Sequence, residues 1–527
     1  MSDVLFGQSY YLRFDPKLLA AMQPYPPLGT LYAASYIRSR NYEVALFDAM
    51  LADSEMDWAA ALDREQPRFA VIYEDNFNYL SKMCLLRMRQ AAFRMIELAR
   101  ERGCLTIVAG SDASDRAGLY LARGADFVLN GEGEATLGEL LDHFSGRTQA
   151  APTAIAGLSF RSGRGDDIVV TGRRPDITDL DALPLPAWDL VDVGRYREVW
   201  TERHGYYSMN MATSRGCPYH CNWCAKPIWG QRYNVRSPER VVSELAWLKE
   251  TYRPDHIWFV DDILGLKPGW IQRFAECIER EAMQTPFKSL GRVDLLLRGD
   301  TIDALRRAGA QVVWVGAESG SQAILDAMDK GTRVEQAVEA TRRLHAAGIR
   351  VGFFLQFGYP GETRRDIAAT LRLVRDCRPD DIGMSVSYPL PGTKFHQGVR
   401  EQLGLQQNWV DSGDLAMMYR GPFSTAFYRK LHTVLHHEFR MRSAWTALTG
   451  HPNRASRFVS RRDRRSGQRR LRSLAGMVYH AAALPLARFQ LELLARVRHR
   501  GLPPLPRFMT PEAAARPTPQ PDASTRS

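Results

Sequence analysis

The sequence predicts an α/β protein in three parts: an N-terminal doubly wound parallel sheet, a partial (β/α)6 barrel and a helical C-terminal region. Two observations carry this. Short apolar runs alternate with amphipathic helical stretches over 1–145 and again over 206–400, the rhythm of parallel strands covered by helices. From 401 to 500 the pattern turns helical. The chain has 527 residues, 45% hydrophobic and 24% charged, enough apolar material for more than one core and too much for wholesale disorder. Seven cysteines in that length exclude a disulfide scaffold.

In 1–145, LYAASYIRSR reads as a helix and YEVALFDA as the strand after it. FAVIYE is the next strand, and SKMCLLRMRQAAFRMIELARERG is a long amphipathic helix closing at Gly103. CLTIVAG, SDRAGLYLARG, ADFVLNG and EATLGELLDHF continue as strand, helix, strand and helix. Residues 146–205 read as a linker, where the prolines of DLDALPLPAWDLV punctuate a stretch with little periodicity. In 206–400 the strands are YSMNMAT, HIWFVDD, FKSLGR, QVVWVGAE, RVGFFLQF and DIGMSVS. Six strands in βα order suggest a partial barrel whose site lies at the strand C-termini.

In 401–500, FYRKLHTVLHHEFRMR is the clearest helix. After Pro485, Leu486, Phe489, Leu493, Leu494 and Val497 fall on one helical face. Residues 501–527 hold seven prolines and are expected to be disordered.

The net charge of +11 is local. Residues 421–527 hold 20 basic and 5 acidic side chains, and the other 420 residues hold 50 and 54. The main body is slightly acidic. Arginines concentrate in RRDRRSGQRRLR at 461–472. Such a run reads as a solvated face or, because 471–498 mixes apolar and basic residues, as a peripheral membrane contact. Few aromatics interleave the arginines, so no nucleic-acid partner is expected. The first residues lack a basic, then apolar leader, and no run reaches 18 apolar residues. A cytoplasmic, reducing location is expected.

The segment ATSRGCPYHCNWCAKP places Cys217, Cys221 and Cys224 in a C-x3-C-x2-C spacing directly after a strand. Three thiolates so close in sequence can wrap one metal centre. They suit a [4Fe–4S] cluster with one iron left open, since such clusters take thiolate ligands. A zinc site using His220 as a fourth ligand is the alternative, and unconnected thiols are another.

The motif, with Trp223 before its last cysteine, resembles the radical S-adenosylmethionine (radical SAM) superfamily. Several later segments follow in that family's order. The resemblance implies that the cluster binds S-adenosylmethionine and reduces it to a 5′-deoxyadenosyl radical. It implies roles at each strand end in turn. Asp261 and Asp262 in WFVDDILG sit where the methionyl amino group is approached, with Asp262 as the contact. Arg292 in SLGRVDLL would pair with the methionyl carboxylate. Glu318 in VGAESGSQ would accept from the ribose hydroxyls. Backbone at Gln356–Gly358 in FFLQFGYPG would pass the adenine, and SYPLPGTKF resembles the segment closing the sixth strand.

Residues 1–145 resemble the cobalamin-binding domain preceding the barrel in one subgroup of that family. The matching pieces are PYPPLGTLYAASYIRSR, VAGSDASD and GADFVLNGEGEATLGELL. This implies cofactor contacts at Pro27, Leu28 and Gly29, at Gly110 and Ser111, and at Gly131 and Glu132. Asn76 and Asn78 would face the corrin or serve as ordinary turn asparagines. No D-x-H occurs in the chain, so the usual lower cobalt ligand of such domains is missing.

The resemblance as a whole implies an enzyme with three cofactors: a [4Fe–4S] cluster, S-adenosylmethionine and cobalamin. Its expected reaction is C-methylation of an unactivated carbon in a small-molecule substrate, with a flavodoxin or ferredoxin as electron donor. The anaerobic magnesium-protoporphyrin monomethyl ester cyclases share the architecture and make oxidative cyclisation the rival. A zinc-bound, non-catalytic module is the alternative outside enzymes. RNA methylthiolation is disfavoured, because 1–145 carries only Cys84 and Cys104 and no second three-cysteine set.

Overall fold

The computed structural model describes residues 2–163, 167–224, 226, 228–404, 406–449 and 466–496. The disordered tail expected at 501–527, and Val497, lie outside the described residues.

A seven-stranded sheet opens the chain: β1 (Val4–Gly7), β2 (Val44–Leu46), β3 (Phe69–Tyr73), β4 (Leu105–Ala109), β5 (Phe127–Leu129), β6 (Leu158–Arg161) and β7 (Ile168–Val170), in the order 2-1-3-4-5-6-7. The first five strands are parallel. Alternate side chains feed two cores. Val4, Phe6, Val71 and Ile107 pack with Leu137 and Leu141; Leu5, Ile72 and Val108 pack with Trp58 and Met95. That is the doubly wound arrangement, with its strand order switching direction between β1 and β3, where ligands bind such sheets. The strand VLFG at β1 is buried on both faces. It shows no alternation, which is why periodicity alone passes over it.

The stretch 146–205 is more than a linker. It adds β6 and β7 to the sheet as antiparallel strands and then the helix Val193–His204. Trp200 of that helix is 1% exposed, and its indole donates to Pro24 O at 2.7 Å. Short strands with exposed alternate positions, such as Ile168 and Val170, leave a weak pattern in sequence.

All six expected barrel strands form: β8 (Ser208–Met211), β11 (His256–Phe259), β12 (Phe287–Gly291), β13 (Ala310–Glu318), β14 (Arg350–Phe357) and β15 (Asp381–Val386), adjacent in that order and parallel throughout. A two-strand ribbon, β9 (Ser214–Arg215) with β10 (Asn234–Val235), brackets the cysteine segment.

Two helices, Thr425–Thr449 and Ser466–Arg496, close the described chain and pack on each other. Glu438 of the first accepts Arg375 from the barrel and Arg488 from the second. The second helix continues through Pro485 rather than restarting after it. Leu486, Phe489 and Leu493 share its solvent side; Leu484, Ala487 and Leu494 face inward. No helix among the described residues is long and apolar enough to cross a membrane.

Candidate functional site

The cysteine loop leaves the ribbon through Gly216, whose φ of 82° and 2.4 Å approach to Arg232 O leave no room for a Cβ. Asp261 sets the loop's entrance. Its carboxylate accepts from Thr213 N at 3.0 Å, Thr213 Oγ1 at 2.8 Å and Ser214 Oγ at 2.5 Å. Burial pushes Asp261 up to about 6, against those hydrogen bonds. Its task is therefore to hold the loop, and the neighbouring Asp262 stands outside that network, paired with Lys82. Asn222 pins the far side: its amide donates to Ala327 O at 2.7 Å and its oxygen accepts from Tyr359 OH at 2.9 Å.

Cys217 is buried, and Cys221 and Cys224 are half-buried; none of the seven cysteines is in a disulfide. Burial raises Cys217 and pushes Cys224 up to about 12, and the neighbouring cysteines add to it. The thiols are close enough to feel one another's charge. A metal centre here would have to displace their protons. Among the described residues no three Cys, His, Asp or Glu side chains are gathered as one metal ion requires. A zinc ion draws every ligand to within about 2.3 Å. A multi-iron cluster accepts ligands spread over several iron atoms, so the donor set, three thiols on one fixed loop, suits a cluster with an open iron.

The expected S-adenosylmethionine contacts surround this loop. Arg292, at the end of β12, is buried and stacks over Tyr219 at 3.9 Å. It also donates to Lys330 O at 2.5 Å and lies 2.7 Å from Asp294. Glu318 ends β13 at a register shift, with φ of 54°, a conformation that costs a non-glycine residue and clusters at functional sites. Its carboxylate meets Lys330 Nζ at 2.8 Å. Lys330 in turn stands 5.9 Å from the Trp223 ring. Trp223 Nε1 is buried without a hydrogen-bond partner. Gln356 ends β14, buried, with its amide on Ser387 Oγ at 3.0 Å. The fold brings Cys217, Cys221, Cys224, Trp223, Asp262, Arg292, Glu318 and Gln356 to the C-terminal end of one barrel.

The N-terminal sheet turns its own strand C-termini toward this end. Pro27, Leu28 and Gly29 open the helix Leu28–Arg38, and Gly29 N donates to Asp75 at 3.0 Å. Gly110 has φ of 153° and no space for a Cβ beside Glu74. Ser111 Oγ next to it is buried without a partner, as a ligand-binding hydroxyl would be. Gly131 lies at φ of 76° near Ile228.

Two of the expected contacts already have partners within the protein. The Glu132 carboxylate is already engaged: it meets Arg215 Nη1 at 2.5 Å, Trp229 Nε1 at 3.1 Å and Ile177 N at 2.5 Å. Asn78 caps the helix Tyr79–Met83 through Leu80 N at 3.0 Å. Asn76, Gly29 and Glu132 border a cavity of only about 10 Å³ between the parts, lined also by Phe77, Arg215 and Trp229, about the least space that holds one water. Phe77 and Trp229 stand 5.4 Å apart across it.

Three contributors escaped the sequence reading. Lys82 crosses from the sheet domain to Asp262 Oδ1 at 2.8 Å. Tyr79, on the same helix, is 52% exposed. Burial still raises its pKa, and Cys224, Glu318, Tyr388 and Asp262 add to that, so those groups lie within electrostatic reach of the ring. Arg215 bridges the parts through Glu132 and Glu134, each side chain 4% exposed. Their signal was interdomain, and only the residue types, a lysine, a tyrosine and an arginine near flagged motifs, were visible beforehand.

Comparison with known proteins agrees with this geometry. The model of the radical SAM superfamily matches residues 211–374. An uncharacterised methyltransferase of Pyrococcus horikoshii is 26% identical over 392 residues, covering 73% of this chain and 81% of that protein. An anaerobic magnesium-protoporphyrin IX monomethyl ester cyclase of Synechocystis sp. is 28% identical over 341 residues, covering 63% of this chain and 65% of the cyclase. Among solved structures, the cobalamin-dependent S-adenosylmethionine radical enzyme OxsB, with aqua-cobalamin and S-adenosylmethionine bound, superposes with a TM-score of 0.68 at 16% identity, over 93% of this chain and 72% of that one. That likeness is one of fold, extending across both the sheet and the barrel. The chain carries a radical SAM domain in its barrel.

Proposed function

We propose that the chain is a cobalamin-dependent radical SAM enzyme that methylates an unactivated carbon of a small-molecule substrate. The observation that carries this is the facing of two ligand-binding edges. The C-terminal ends of a doubly wound sheet close on the C-terminal ends of a barrel bearing three cysteines, with Lys82–Asp262 and Arg215–Glu132 spanning the join. When bound, the cluster and S-adenosylmethionine supply a hydrogen-abstracting radical, and cobalamin supplies a methyl group.

The chain's own residues do the positioning. Cys217, Cys221 and Cys224 hold the cluster. Asp262 receives the methionyl ammonium, a charge-assisted contact, once Lys82 yields it. Arg292 meets the methionyl carboxylate, Glu318 the ribose, and backbone at Gln356–Gly358 the adenine. Gly29, Gly110, Ser111 and Gly131 line the cobalamin tail, and Tyr79 borders the substrate. The proposal includes a cytoplasmic setting, a flavodoxin or ferredoxin as electron donor, and a peripheral membrane contact through the C-terminal region.

The cyclase relative supports a second reading, oxidative cyclisation. The products separate the two. Incubate anaerobically reconstituted protein with cobalamin, reductant and S-adenosylmethionine, offering extracts as substrate. Methylation yields both S-adenosylhomocysteine, from the methyl donor, and 5′-deoxyadenosine. Cyclisation yields 5′-deoxyadenosine without S-adenosylhomocysteine, and that outcome rejects the methylation reading.

A further inference from the structure

We propose that the outer face of the helix Ser466–Arg496 docks this protein on an anionic lipid bilayer. The helix is fixed to the body on one side, where Leu484 and Ala487 bury against Val434. Its other side is apolar as well. From 474 to 486 the exposed positions are Leu474, Ala475, Val478, Tyr479, Ala481, Ala482, Pro485 and Leu486, with no charge among them. Phe489, 61% exposed, and Leu493, 45% exposed, extend the strip. At 100° per residue Leu474, Val478, Ala482, Leu486, Phe489 and Leu493 fall within an arc of about 120°, running about 29 Å along the helix. Water-facing helix surfaces normally carry polar residues, so an apolar strip of this length marks a contact.

Charge selects the occupant. The seven arginines and single aspartate of 461–472 immediately precede the strip, and 421–527 carries a net charge of +15. Clusters of four to eight arginines or lysines beside an amphipathic helix match acidic headgroups. Of the charges beside the strip, Arg488 pairs with Glu438, and Glu492, at the azimuth of Leu474, pairs with Arg364. A second copy of the chain would bring together two segments of net charge +15, so pairing through this face is disfavoured. The helix lies in the headgroup plane; it is not a spanning segment.

This contact rests on the peripheral-membrane part of the proposed function and stands apart from the radical chemistry. Its test is flotation of the full-length, reconstituted protein with phosphatidylcholine vesicles, with and without phosphatidylglycerol. Expected is at least about tenfold more bound protein on the anionic vesicles, reduced by high salt. Leu486→Glu with Phe489→Glu should cut that binding by about tenfold or more, with the melting temperature and the yield of 5′-deoxyadenosine unchanged. Absence of flotation with anionic vesicles overturns the proposal. So does equal flotation of the double variant. A concentration-dependent dimer in the parent, dispersed by the same variant, would assign the face to a second copy instead.

Discussion

Lys82 Nζ lies 2.8 Å from Asp262 Oδ1, joining the N-terminal sheet to the end of the second barrel strand. Burial by itself lowers the Lys82 pKa, but Asp262, Cys224 and Asp75 more than offset it, so the ammonium persists. The same Asp262 is proposed to take the methionyl ammonium. Two cations thus compete for one carboxylate.

The competition has a sign. Lys82→Met removes the internal competitor and should tighten S-adenosylmethionine binding by about three- to tenfold, while Asp262→Asn should weaken it by about tenfold or more. Calorimetric titration of the reconstituted protein measures both. Weaker binding in Lys82→Met would show that the lysine orients Asp262 instead of occupying it.

Glu318 carries a different expectation because its backbone is strained at φ of 54°. Glu318→Gln keeps the shape but loses the charge and should weaken S-adenosylmethionine binding by about tenfold. Iron content should stay at the parent level, since Glu318 is not a cluster ligand. Unchanged affinity would remove Glu318 from the ribose site.

Arg215 tests the join between the parts. It is buried and shared by Glu132 and Glu134, so Arg215→Met strands two buried carboxylates. A loss of about 3–5 kcal/mol is expected at that interface, read as a lower first melting transition and as faster proteolysis between sheet and barrel. Arg215→Lys should recover part of the loss. A melt identical to the parent would mean that the pair contributes nothing to the join.

Glu362 gives the pH dependence. Burial pushes its carboxyl up to about 8, although Gly358 N and Tyr428 OH both donate to it. Its ordinary value is 4.5. The raised folded value means its contribution to stability is fully present below about 4.5 and is lost as pH climbs through about 8. Glu74, pushed by burial to about 7, acts with the same sign. Melting temperature should therefore fall from pH 6 to pH 9, and Glu362→Gln should flatten that fall. An identical slope in the variant would contradict the assignment.

The barrel was legible in sequence because each strand is a run of apolar residues ending in a distinctive loop: FVDD, SLGR, VGAES and FLQFG. The cysteine spacing was legible for the same reason, being contiguous. β1 was not, since VLFG is too short and too uniformly buried to alternate. The role of 146–205 was also hidden, because β7 exposes Ile168 and Val170 and carries no core signature. Asp261 and Asp262 are adjacent and chemically equal, and only tertiary contacts divide them into a loop anchor and a partner of Lys82. The partnership of Glu132 with Arg215 spans 83 residues, and no local pattern encodes it. The apolar face after Pro485 was visible as a pattern; that it points outward depends on how the helix sits against Val434.

The central claim is that Cys217, Cys221 and Cys224 hold an iron–sulfur cluster that cleaves S-adenosylmethionine. The direct measurement is iron and zinc content together with 5′-deoxyadenosine formation under reductant, on anaerobically reconstituted parent and the three single alanine variants. Expected are about four irons per parent chain, and loss of 5′-deoxyadenosine in each of Cys217→Ala, Cys221→Ala and Cys224→Ala. Stoichiometric zinc without iron, or any variant cleaving S-adenosylmethionine at the parent rate, would contradict it.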